Sequence, residues 1–189
     1  MILIDNLFLS NEESEKIKEY VLKNSIWNLN YKTTNSRENF PFQSIKTDST
    51  QDSFQFNHLL RHENMITSQM YDYINNNIFV KFLEKNNIIC NQIIRAKINL
   101  TTINNSNTYQ MPHVDQVLEH KVFLYYVNDC DGDTIFFNEF YDGETKNLTV
   151  FDKVSPQMGT GMVFDGLQYH AATNPKNSPY RCVINIDFI

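Results

Sequence analysis

The sequence predicts an α+β fold in which an opening strand and helices precede an all-β core. Three observations carry this. Apolar residues recur at helical spacing in two early segments. From about residue 93 onward, short alternating runs follow one another. The clusters NDCDGD, SPQMGTG and NPKNSP separate those runs as turns, and many short strands at regular spacing indicate a sandwich or barrel.

The elements follow in order. ILI at 2–4 reads as a short strand. SNEESEKIKEYVLKN at 10–24 reads as a helix, with Ser10 as N-cap and Glu13 at the capping-box spacing. Ile17, Tyr20 and Val21 fall on one of its faces. The alternation IWNLNYKT around Trp27 suggests a strand, and residues 33–53 are polar, as expected of a loop. From His58 to about Asn86, the spacing of Leu59, Met65, Ile66, Met70, Tyr73 and Ile74 predicts one long helix or two shorter ones. The core strands are expected at 93–102, 121–128, 133–139, 147–155, 161–165, 169–174 and 181–188. Phe136, Phe151, Phe164 and Phe188 are expected in the barrel core. At 189 residues, the whole chain (1–189) is expected to be one domain, with a buttress of about 1–92 and a β core of about 93–189.

The totals exclude several classes. Hydrophobic content of 41% and charge of 20% are ordinary for a soluble globular protein. A net charge of −6 argues against a broad grip on nucleic-acid phosphates, which needs clustered Lys and Arg. Cys90, Cys130 and Cys182 form no C-x-x-C pair, and such a scattered odd set suggests reduced packing thiols and a cytoplasmic location. The acidic N-terminus lacks the features of a signal peptide, and no run approaches membrane-spanning length. The NLT triplets at 99–101 and 147–149 are then chance matches to the glycosylation pattern.

Chemistry centres on MPHVDQ at 111–116. On a strand, residues i and i+2 share a face, so His113 and Asp115 can address one ion. Pro112, which cannot donate to a ladder, suits a strand end or sheet edge. Alone, the pair is more simply structural, with His113 capping a turn and Asp115 paired to Lys121. His170, flanked by Ala171 and Ala172, supplies a second imidazole, and Arg181 opens the last strand. Two His and one carboxylate on separate strands make a facial triad that suits non-haem Fe(II). The Arg181 fork could take one carboxylate of a diacid whose other end chelates the metal, which is the shape of 2-oxoglutarate. Arg95, Lys97, Asn99 and Thr101 share one face of their strand, and the stripe could line a pocket or face solvent. His58 and His62, four apart on an expected helix, match a zinc spacing but lack an acidic partner motif. His120 is expected at a turn or on the surface.

These residues resemble the Fe(II)/2-oxoglutarate-dependent oxygenase superfamily, most of all its prolyl-hydroxylase-like branch of small phage and bacterial members. The signature H-x-D, a distant His, then Arg reads His113-Val114-Asp115, His170 and Arg181. FLYYVND followed by DGDTIFF resembles a YLN…GGxTxF strand pair, and SPQMGTGMVFDGLQYHAA resembles the approach to the third ligand. The resemblance covers about residues 93–188; residues 1–92 match it loosely.

The resemblance implies a double-stranded β-helix (a jelly-roll or cupin-like core) buttressed by N-terminal helices. It implies Fe(II) on His113, Asp115 and His170, with 2-oxoglutarate held by Arg181 and by Tyr126, whose hydroxyl would join that arginine. O2 would be cosubstrate, and the reaction hydroxylation of a C–H bond with release of succinate and CO2. The substrate would be a small molecule or peptide, such as a prolyl residue or an amino acid, met in the cytoplasm, for a phage protein that of the host. Nucleic-acid demethylation and a catalytically silent binding module are the rival readings. The family's tyrosine near the end of the first core strand is replaced by Thr101 or Thr102, with Tyr109 as a substitute, and its double glycine reads Asp131-Gly132. Substrate specificity is expected in residues 28–57 and 104–111.

Overall fold

The computed structural model describes residues 2–6, 8–31, 53–105, 108–144 and 147–189. The elements run β1 (Leu3–Asp5), α1 (Asn11–Asn24), β2 (Asn28–Asn30), β3 (Gln55–His62), β4 (Met65–Ile66) and α2 (Tyr71–Ile74). A π-helical turn (Asn75–Phe79) then joins α2 to α3 (Val80–Lys85). The core strands are β5 (Ile93–Thr102), β6 (Lys121–Tyr126), β7 (Thr134–Phe140), β8 (Val150–Val154), β9 (Gly161–Asp165), β10 (Gln168–Ala172) and β11 (Tyr180–Phe188).

The strands form two antiparallel sheets. The larger has the order β1-β9-β6-β11-β5-β3-β2, with β4 paired to β3, and the smaller has the order β10-β7-β8. Strand β6 shows how the layers are built, because it is buried on both faces. Val122, Leu124 and Tyr126 turn inward and pack with Met162, Phe164 and Val183, and against Phe136 of the smaller sheet. Phe123 and Tyr125 turn outward beneath the helices. There Phe123 meets Phe79 and Phe82, with ring centroids 5.4 and 4.9 Å apart. The inward face therefore holds a second core between the sheets, and the site lies at its polar end. No described helix is long and apolar enough to cross a membrane.

Helix α1 starts where its sequence directs. The Glu13 N–H donates to Ser10 Oγ (3.3 Å), and the Ser10 N–H donates to Glu13 Oε2 (2.9 Å), which closes the capping box. Ile17 and Val21 are buried beneath it. Ser10→Ala is expected to cost about 1 kcal/mol, seen as a melting point lower by about 2–4 °C. An unchanged thermal melt would show that the cap contributes nothing.

The helix expected from His58 to Asn86 forms only from residue 71. Residues 55–62 are strand β3, paired to β5 with Phe56 opposite Leu100 and His58 opposite Ile98. The buried positions Gln55, His58 and Leu60 are spaced three and then two apart, because Gln55 lines the cavity face while His58 and Leu60 lie on the helix face, and the register shifts after them, between Leu59 and Arg61. Burial on both faces, followed by a bulge, hides the two-residue alternation and imitates a helical period. Leu59, Met65 and Ile66, which completed the apparent helical stripe, are exposed. His58 joins no metal cluster among the described residues: the Ile26 N–H donates to its Nδ1 (2.9 Å), and its Nε2 meets Ser68 Oγ (2.7 Å). His62 is exposed on the same strand. One further expectation fails, and that for His120 holds only as to the turn, which it follows. Phe151 is 58% exposed because β8 is the edge of the smaller sheet. His120 is buried, with Nδ1 on the Leu118 carbonyl (2.7 Å) and Gly166 packed on its ring.

Candidate functional site

The segment after β5 returns along the edge of the smaller sheet. The His113 N–H donates to the His170 carbonyl (2.9 Å), and the His170 N–H donates back to the His113 carbonyl (3.0 Å). Successive backbone N–H groups alternate sides, so the position of Pro112 is one whose N–H would point away from β10. Proline costs no ladder bond there. The same alternation turns Val114 into a cluster with Phe137, Tyr169 and Ala171, and leaves His113 and Asp115 on the opposite side with His170.

One ligand atom from each of His113, Asp115 and His170 lies within 4.8 Å of the other two. The two rings sit 4.6 Å apart between centroids, and His170 Nε2 is 3.4 Å from Asp115 Oδ2. Each imidazole is oriented by its own chain: Nδ1 of His113 lies 3.1 Å from the Met111 carbonyl, and Nδ1 of His170 lies 3.1 Å from the Gln168 carbonyl. A carbonyl only accepts, so Nδ1 donates in both rings and Nε2 is the atom that faces the triad. Burial, then neighbouring His170, pushes His113 down to about 3, so its ring is neutral near pH 7.

Asp115 is held from behind by β5 and β11. Arg95 Nη2 donates to Asp115 Oδ1 (2.5 Å) and also meets Asp187 Oδ2 (2.8 Å), while Lys97 Nζ stands 3.6 Å from Asp115 Oδ1. Asn185 Nδ2 donates to Asp115 Oδ2 (3.2 Å). Burial alone would raise the Asp115 carboxyl, but Lys97 and Arg95 hold it well below the usual carboxylate range. Burial, then the nearby Asp115 charge, raises Asp187, and burial, then Arg95, lowers Lys97. The polar stripe of β5 is thus a lining and not a solvent face, and Asp115 pairs with Arg95 and Lys97 in place of Lys121.

Arg181 occupies the other end of the cavity. It is 5% exposed. Its Nε donates to the Gly132 carbonyl (2.9 Å), and its Nη2 donates to Thr134 Oγ1 (2.7 Å). A Cβ at residue 132 would lie 2.8 Å from the Thr173 carbonyl and 3.1 Å from Arg181 Cδ, so glycine lets the arginine seat. Asp131, in the place of a second glycine, accepts from the N–H groups of Asn177 (2.9 Å) and Ser178 (3.1 Å) and ties down the loop before β11. Tyr126 reaches the arginine indirectly. Its hydroxyl bonds Thr134 Oγ1 (2.7 Å) and donates to the Val154 carbonyl (3.3 Å), while the guanidinium stands 5.8 Å from its ring centre. Arginine only donates, so one proton arrangement satisfies the chain: Arg181 to Thr134, Thr134 to Tyr126, Tyr126 to Val154. Burial pushes Tyr126 up to about 12, which keeps it a donor.

No family model matches the sequence, and no curated protein matches it. Similarity appears among solved structures. A 2OG-Fe(II) oxygenase family oxidoreductase from Burkholderia pseudomallei superposes with a TM-score of 0.65 at 11% identity, over 99% of this chain and 84% of that one. The chain has the fold of the 2OG-Fe(II) oxygenases. A prolyl hydroxylase from Trichoplax adhaerens, in complex with a hypoxia inducible factor peptide fragment, gives a TM-score of 0.58 at 14% identity, over 100% and 83% of the two chains. A Pseudomonas putida prolyl-4-hydroxylase gives 0.55 at 10% identity, over 99% and 91%.

Within this oxygenase fold, the five residues singled out in the sequence lie together: His113, Asp115 and His170 as one cluster, with Arg181 on the same cavity wall and Tyr126 behind it. Thr101 lines the cavity opposite Arg181 in register, whereas Tyr109 packs edge-on against Phe137, 5.2 Å between ring centres. Sequence reasoning missed Thr134 and the Arg95–Asp187 pair. The signal for the pair was the alternation of polar residues on both β5 and β11, which in a core strand marks a lined cavity. Of the segments expected to set specificity, residues 32–52 and 106–107 lie outside the described residues.

Proposed function

We propose that the chain is an Fe(II)- and 2-oxoglutarate-dependent dioxygenase that hydroxylates a C–H bond and releases succinate and CO2. One observation carries this reading: two oriented imidazoles and an anionic carboxylate converge on one point of a buried cavity whose other end holds Arg181. The donor set fits the ion, since two nitrogens and one oxygen suit non-haem Fe(II) and leave positions open. His113, Asp115 and His170 would hold it. Bound there, it supplies the redox chemistry that couples oxidative decarboxylation of 2-oxoglutarate by O2 to substrate oxidation.

The chain's own residues do the rest. Arg95 and Asn185 fix the Asp115 carboxylate, and the carbonyls of Met111 and Gln168 fix the two rings. Arg181, braced by Thr134 and Gly132, offers its fork to the distal carboxylate of 2-oxoglutarate, and the Asn99 Oδ1 and Thr101 Oγ1 atoms are buried without a partner along the same wall. On this reading the two sheets form a double-stranded β-helix, and residues 1–189 are one cytoplasmic domain. Its substrate is a prolyl residue or an amino acid. The net charge of −6 counts against a nucleic-acid substrate.

Anaerobic addition of Fe(II) and 2-oxoglutarate together is expected to produce a visible charge-transfer band, and its absence would end this proposal. Thr134→Val removes one hydrogen bond to a charged group, worth about 1.5–3 kcal/mol, and is expected to weaken 2-oxoglutarate binding roughly 10–100-fold. Equilibrium dialysis showing a change under twofold would mean that Thr134 does not brace Arg181.

A further inference from the structure

The charges around the cavity do not cancel. In formal charge, the described residues lining it hold two cations, Lys97 and Arg181, and one anion, Asp115. Behind this wall, Arg95 and Asp187 pair and cancel. The lining therefore carries one net positive charge. A divalent metal and a doubly charged 2-oxoglutarate cancel each other, so loading the site leaves that surplus in place. An unmatched charge in a buried site is costly, and a ligand that supplies the missing anion relieves the cost.

Position singles out Lys97 as the surplus cation. Across the β5–β11 pair, Thr101 faces Arg181 and Lys97 faces Asn185, so the two cations stand four residues apart along the strands, about 13 Å. Arg181 is committed at its own end, where the distal carboxylate is expected. Lys97 stands by the triad, and its one ion contact among the described residues is Asp115 Oδ1 at 3.6 Å, an oxygen already taken by Arg95 at 2.5 Å. Among the described residues, a single long contact serves the three donors of that ammonium.

We infer that Lys97 is the binding point for a carboxylate of the primary substrate, so that this enzyme acts on a small molecule with a free acid group, such as an amino acid, and not on a neutral residue inside a peptide. The inference rests on the iron and 2-oxoglutarate reading above. It separates two substrates that the fold alone leaves equal.

The test uses protein loaded with Mn(II) and 2-oxoglutarate and titrated calorimetrically with free and N-acetylated amino acids and with their carboxamides. At least one acid is expected to bind ten times more tightly than its amide. In Lys97→Met that preference should fall to about one, while Lys97→Arg, which keeps the charge, should retain most of it. The inference is overturned if no acid outbinds its amide, or if the preference survives in Lys97→Met. It is also overturned if Lys97→Met loses 2-oxoglutarate affinity tenfold with the acid preference intact, since the anion at Lys97 then belongs to the cosubstrate. Wild-type protein that takes up no 2-oxoglutarate would fail the underlying reading before this question arises.

Discussion

His113→Ala is expected to lower succinate formation from 2-oxoglutarate by more than about 100-fold while the protein stays folded. Loss of a residue that merely orients a metal ligand costs about 10–100-fold in affinity or activity, so loss of a ligand should exceed that. The fold should survive because what ties residue 113 to β10 is backbone. Its N–H and carbonyl exchange hydrogen bonds with His170, and alanine keeps both. Among the described residues, the imidazole itself hydrogen-bonds only to the Met111 carbonyl. Bound iron, succinate and the melting curve should be measured on one preparation. Equal turnover in wild type and variant would remove this histidine from the mechanism, and unfolding would show that the ring carries structural load.

The contrast between what the sequence shows and what it hides follows from the range of each interaction. Strands β5 to β11 are legible because each announces itself locally, as a short apolar or alternating run bounded by turn residues. Strand β3 is not, because its buried residues lie on both faces and a bulge follows between Leu59 and Arg61, so little alternation is left for local reading. Tyr126 could be placed on the inner face by phase alone, yet phase says nothing of a hydroxyl's partner, and Thr134 comes between it and Arg181. Phe151 misleads for a related reason: an aromatic residue reads as core until the order of strands makes β8 an edge. The triad residues could be chosen from spacing and chemistry, but only the isolated pairing of His113 with His170 brings the two halves of the site together.

Arg95→Met is expected to destabilise the metal-free protein by about 3–5 kcal/mol, because it strips the nearest cation from two buried carboxylates at once. Asp115 and Asp187 have side chains 3% and 0% exposed, and both lean on the same Arg95 Nη2. For a domain of this size that loss amounts to a melting point lower by roughly 6–20 °C. Two companion measurements separate the charge from the packing of the arginine stem. Arg95→Met combined with Asp187→Asn removes one of the stranded anions and should recover part of the loss, which appears as a coupling energy in a double-mutant cycle. Mn(II) should also raise the melting point of Arg95→Met more than that of wild type, since a divalent ion on the triad supplies the positive charge that Asp115 has lost. A variant that melts within 2 °C of wild type would show that the carboxylates do not need Arg95. Equal metal stabilisation of both proteins would show that Asp115 is not where the ion and the arginine meet.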